Sequence, residues 1–168
     1  MKFDDAHRLH AKAVDDLLAV ASRIPEERWK APRAEGKWSP AETLEHLAIS
    51  YDVLLGELET GVGMRVVTSA WQRLLLRVTM VPRILRHGAF PRGARAPREV
   101  RPQMPASEQP GAIAAFREKA DRFASTVAGT RAARPGARLT HAYFGRSSLA
   151  HALAFTARHL EHHRRQLE

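Results

Sequence analysis

Near the end of the chain, His159, His162 and His163 stand among Arg158, Glu161, Arg164 and Arg165. On a helix, His159 and His163 lie one turn apart, with about 6 Å of rise and nearly the same direction. Two imidazoles so placed can converge on one divalent ion at about 2.0–2.1 Å each. His159 and His162 are helical neighbours too, so spacing alone leaves the pairing open. A third ligand has to come from another helix, and His46 is the one histidine inside the second long predicted helix, beside its apolar stripe. Three nitrogens with an open position are the pattern of a catalytic metal site, since closed structural sites usually have four ligands. The competing reading is a solvated polar helix end, because a chain with nine histidines also produces such pairs by chance.

The rest of the composition narrows the chemistry. There is no cysteine, which excludes disulfides, thiolate nucleophiles and sulfur-held zinc. No apolar run reaches the ~20 residues of a membrane span, and no membrane association is expected. The first residues, Met1-Lys2-Phe3-Asp4-Asp5, are charged rather than apolar, so a cytoplasmic location is expected. A length of 168 residues suits one domain, 1–168, with a real core. The net charge of +9 is uneven: residues 1–64 carry −4, residues 65–111 carry +7 and residues 112–168 carry +6. The basic side chains of the middle stretch are all arginine, which suits carboxylates and phosphates. An acidic small molecule, nucleic acid or an anionic surface would each answer to it, as would a plain solvated basic surface.

Periodicity predicts the elements that must position the histidines. Ala6, Leu9, Ala13, Leu17, Val20 and Ile24 recur at spacings of three and four, which predicts a helix from Asp4 to Ile24. A loop follows to Trp38, with a short turn near Glu26–Trp29. Ser39-Pro40-Ala41-Glu42 reads as a capping box with proline at the first helical position, opening a helix that runs to about Glu59. Its inner face is Leu44, Leu47, Ala48, Tyr51, Leu54, Leu55 and Leu58; Glu45, Asp52 and Glu59 face outward. A third helix is expected over Thr68 to Arg86, with Trp71, Leu74, Leu75 and Val78 as its apolar side and Pro82 as an end or kink. Residues 87–111 hold five prolines and four arginines and read as a long basic loop, a kind that is often functional. A fourth helix runs to about Ala128, Gly129 to Leu139 is a loop, and the last helix starts after Gly145 with Ser147 or Ser148 as its cap. No β-type alternation of useful length is visible. The fold expected is all-α, an antiparallel four-helix bundle with a long basic loop between the third and fourth main helices.

Three segments together resemble a known family. Gly36-Lys37-Trp38-Ser39-Pro40-Ala41-Glu42-Thr43-Leu44-Glu45-His46-Leu47 is similar to the G-K-W-S-x-x-E-x-x-x-H-L segment of the DinB-like superfamily. The C-terminal run from Arg158 to Leu167 resembles that family's H-x-x-x-H-x-x-Q-hydrophobic ending. His141-Ala142-Tyr143-Phe144-Gly145 resembles the H-P-x-F-G segment of one branch, with Ala142 where proline is common. The resemblance implies an antiparallel bundle, often a homodimer. It implies a divalent metal, zinc or nickel, on His46, His159 and His163, with His162 outside the triad. It implies a group in which some members are metal-dependent thiol transferases or hydrolases.

Other residues invite milder readings. Trp38 suits a hydrophobic staple at the helix entry. Glu42 is accounted for by the capping box. His141 reads as a turn residue rather than a fourth ligand, and Gln166 as structural. His7 and His10 read as surface or packing residues. Arg92, Arg95, Arg98 and Arg101 form either an anion-binding lid or a solvated loop. The catalytic groups themselves are not identifiable. Two functions follow: a metal-dependent enzyme of the thiol transferase or hydrolase type acting on a small, acidic or thiol substrate, or a non-catalytic, stress-related scaffold that engages an anion. Nucleic acid ranks low as a partner, because no recognised DNA-binding motif is present and aromatics are few.

Overall fold

The computed structural model describes residues 1–91, 96–103 and 107–168. It is mostly helical, with one small hairpin. In chain order the elements are α1 (Phe3–Ala21), α2 (Glu26–Trp29), α3 (Pro40–Thr60), α4 (Ala70–His87), a single 3-10 turn (Arg98–Val100), α5 (Gln109–Ala133), β1 (Arg138–His141), β2 (Gly145–Ser148) and α6 (Leu149–Leu167).

The helix starts follow local chemistry. At α3 the Ser39 hydroxyl accepts from the Glu42 amide at 3.2 Å, and the Glu42 carboxylate accepts from the Ser39 amide at 2.7 Å. This reciprocal pair satisfies two orphan donors of the first turn. The helix ends at Gly61, whose φ of 76° lies in the left-handed region that glycine enters without a Cβ penalty. A second capping box, Ser69 with Gln72, opens α4. Pro82 does not end α4, which continues to His87 and stops at Gly88. Ser148 caps α6 by accepting from the His151 amide.

The core lies between α1, α3, α5 and α6. Leu17, Leu44, Leu47, Tyr51, Phe116, Phe123, Leu153 and Leu160 are almost wholly buried there. α1 packs along α6, and α3 along α5. Trp29, on the short α2, is buried and donates its indole N–H to the Ser107 carbonyl, tying the first connection to the entry of α5.

Three expectations need correction. The fold is not all-α: the segment from Arg138 to Ser148 is an antiparallel hairpin pairing Arg138 with Ser148 and His141 with Gly145. Its strands are four residues each, too short for alternation to register, and a long-range contact anchors them. The buried Glu57 carboxylate of α3 accepts from the Thr140 amide at 2.8 Å and the Thr140 hydroxyl at 2.6 Å. Next, α5 runs through Gly129 to Ala133, so the expected loop there is shorter. Finally, the apolar side of α4 does not face the core. Trp71, Leu74, Leu75 and Val78 are 51–71% exposed, and Ile84 is the helix's buried residue. Within the expected basic loop, Val100 is buried in the 3-10 turn, while Arg92 and Arg95 lie outside the described residues.

Candidate metal centre

His46 is carried at the centre of the second turn of α3, where the capping box fixes the start of the helix. His159 and His163 project from successive turns of α6. The structure brings the three together: one nitrogen of each lies within 4.8 Å of the others. The Nε2 atoms of His46 and His159 are 3.3 Å apart, and those of His163 and His159 are 3.0 Å apart. Ligand nitrogens about 2.0–2.1 Å from one tetrahedral ion stand about 3.3–3.4 Å from each other, so the spacing already fits a shared cation.

The far nitrogens explain why these Nε2 atoms point inward. His46 donates from Nδ1 to the Val100 carbonyl at 2.6 Å. His163 donates from Nδ1 to Oε1 of Gln166 at 2.8 Å. Each bond places the proton on Nδ1 and leaves an Nε2 lone pair for the cluster, the usual way a metal-binding histidine is oriented. Gln166 therefore does more than close the helix. Its amide nitrogen also lies 2.9 Å from Nε2 of His162, which holds that ring away from the cluster and against Phe90. His162 is not among the grouped nitrogens.

Electrostatics keeps the three rings neutral. Burial lowers the pKa of His46, against a smaller opposing effect of the Val100 hydrogen bond. Burial takes His163 down to about 3. His159 is held well below its ordinary value by burial and then by the neighbouring His163, His46, His162 and His141. Neutral imidazole is the form that ligates a metal. The donor set, three nitrogen atoms with no sulfur or carboxylate, suits zinc, nickel, copper or iron.

The cluster lines a cavity of about 1080 Å³. Its walls come from the α2–α3 connection, α3, α4, the 3-10 turn, the hairpin and α6. Trp38 packs its ring 4.8 Å from that of His46, so it serves the site as well as the helix entry. His141 also lines the cavity, but its Nδ1 accepts from the Tyr143 amide at 3.2 Å. His141 ends β1 rather than sitting in the turn; it is held by that bond and by stacking on Phe144 at 4.6 Å, and it is not among the grouped nitrogens. Glu42 is engaged at the helix cap. Glu45, expected to face outward, is half-buried beneath Gln103; one carboxylate oxygen accepts weakly from the Gln103 amide, and the other is buried without a partner among the described residues. Of the loop arginines, Arg101 lines the cavity, and Arg98 is exposed and not among its walls. Sequence reasoning missed Val100, whose contribution is a backbone carbonyl and leaves no side-chain signal.

A family model described as the DinB superfamily matches residues 9–167. No curated protein and no solved structure matches the chain.

Proposed function

The chain belongs to the DinB superfamily, and from that premise we propose that it is a metal-dependent enzyme of the thiol transferase or hydrolase type. His46, His159 and His163 are its metal ligands, and zinc or nickel is the expected ion. The observation that carries this reading is the convergence of three Nε2 atoms whose outer nitrogens are already tied to Val100 and Gln166. A divalent ion there supplies Lewis acidity, lowering the pKa of a water or a substrate thiol toward neutrality. The protein's own residues do the rest. Val100 and Gln166 hold the ring tautomers. Trp38 and Phe90 pack against the ligand rings and limit water beside them. The cavity admits a small substrate to the open side of the triad.

In this reading the chain is one domain, 1–168, and α1, α3, α5 and α6 are the antiparallel four-helix bundle. The segment between α4 and α5 is its long basic loop. The protein acts in the cytoplasm as a homodimer. The exposed apolar stripe of α4 supports self-association, since soluble monomers rarely present such a patch. The experiment for the core of the proposal is metal analysis of the purified protein beside His159→Ala. Wild type is expected to retain about one divalent ion per chain, and the variant to lose it while keeping its helical circular dichroism. A wild type that takes up neither zinc nor nickel would remove the enzyme reading.

A further inference from the structure

The cavity walls are divided by chemistry along α6. Toward the start of the helix they are aromatic: Phe155 packs against Phe90 at 5.5 Å and Phe144 at 5.6 Å, with Met80 and Leu85 of α4 alongside. Toward its end they are cationic. Arg33 donates to the Gln166 carbonyl at 3.0 Å, and Arg28 and Lys37, from the same stretch of chain, line the cavity with it. Arg101 lines the same cavity, next in sequence to Val100, whose carbonyl holds His46, and donates from Nε to the Ala96 carbonyl at 2.9 Å. Phe155 and Gln166 are eleven residues apart, about 16 Å along the helix axis, and His159 and His163 lie between them.

Two further facts give the division meaning. No aspartate or glutamate lines the cavity among the described residues. None of Arg28, Arg33, Lys37 and Arg101 is in an ion pair among the described residues. The cations are therefore not neutralised from within, and a cavity lined by one sign of charge concentrates ligands of the other. A purely polar anion would leave the aromatic wall wet. A neutral hydrocarbon would gain nothing from the cations.

We propose that the cavity binds an amphiphilic anion. Its acidic group lies near Arg33 and Arg101, its apolar body lies against Phe90, Phe144 and Phe155, and its middle passes the histidine triad. This deepens the proposed function by naming the substrate class, and it rests on that reading for the reaction though not for the binding. Three of the four cations come from the part of the chain whose net charge is negative, so the overall charge distribution does not reveal them.

The test is calorimetric titration of the full-length protein, with zinc and after chelation, against decane-1-sulfonate below its micellar concentration. Decan-1-ol and citrate are the matched controls. The sulfonate is expected to bind at least tenfold more tightly than either control. The double variant Arg33→Gln/Arg101→Gln is expected to weaken the sulfonate about tenfold and leave decanol unchanged, while Phe155→Ala weakens both. A sulfonate no tighter than decanol or citrate, or insensitive to the arginine pair, overturns the inference even if the protein holds its metal. Sulfonate binding of the expected pattern in a protein that retains no metal upholds the inference and removes the enzyme reading instead.

Discussion

Gln166 bonds two histidines that are adjacent in sequence and different in role: its carbonyl fixes His163 toward the cluster, and its amide nitrogen bonds His162. Removing such an outer partner typically costs 10–100-fold in metal affinity. Gln166→Ala is therefore expected to weaken zinc binding by that order in a chelator competition, with the helical signal unchanged. Gln166→Glu keeps an oxygen acceptor and is expected to retain most of the affinity. A different histidine governs pH dependence away from the site. His10 is buried on α1, with Nε2 at 2.8 Å from the Tyr51 hydroxyl, and burial takes its pKa from 6.5 to about 4. Its folded value lies below its unfolded one, so the unfolded chain binds the extra proton between those two pH values. Stability therefore falls as pH drops from 6.5 toward 4 and levels off below, by on the order of 3 kcal/mol for this group. Urea titrations across that window are expected to show a flatter dependence for His10→Gln than for wild type.

At the scale of elements, the hairpin and α4 are the parts whose placement depends on distant residues. Glu57 is a buried carboxylate that accepts from both the amide and the hydroxyl of Thr140. Thr140→Val keeps the backbone bond and removes the hydroxyl, leaving Glu57 short of a donor. A loss of about 1–3 kcal/mol is expected in chemical denaturation. On α4, Arg73 donates to the Thr68 carbonyl and Arg77 to the Arg146 carbonyl. The Arg77 bond, together with that of the Thr68 hydroxyl to the Tyr143 carbonyl, secures α4 beside the hairpin, and Trp71, Leu74, Leu75 and Val78 remain exposed. If α4 is the dimer surface, Leu75→Glu is expected to shift the protein to monomer in sedimentation velocity without loss of bound metal. An unchanged sedimentation coefficient would place self-association elsewhere.

For the whole molecule, the triad links α3 to α6 across the core, so a bound ion is also a fold-stabilising contact. A ligand that binds the folded state alone at 100 times its Kd adds about 2.7 kcal/mol. Zinc is expected to raise the thermal midpoint of wild type and leave that of His159→Ala unmoved. How much of this was legible in the sequence depended on how local each signal is. The capping box at Ser39, the 3.6-residue periodicity of α1 and α3, and the one-turn separation of His159 and His163 are written within a few residues, and each appears where the sequence located it. The segments around His46 and His163 were recognisable as a family pattern, and the family assignment followed from them. What stayed out of reach was non-local. The hairpin is anchored by Glu57, 83 residues away. His46 is oriented by a backbone carbonyl 54 residues away, and backbone atoms carry no sequence identity. The exposed face of α4 is as apolar as a buried one, because periodicity reports which residues share a face and never what that face meets. Spacing alone left the pairing of His159 open; the resemblance put His163 in the triad and His162 outside it, and the Gln166 bonds supply the physical reason. The cation end of the cavity needed Arg33 brought 133 residues along the chain to Gln166. The sequence by itself determined which helices form and which side chains they offer; tertiary packing decided which of those side chains converge, because hydrogen bonds and burial across distant segments set the direction in which each one points.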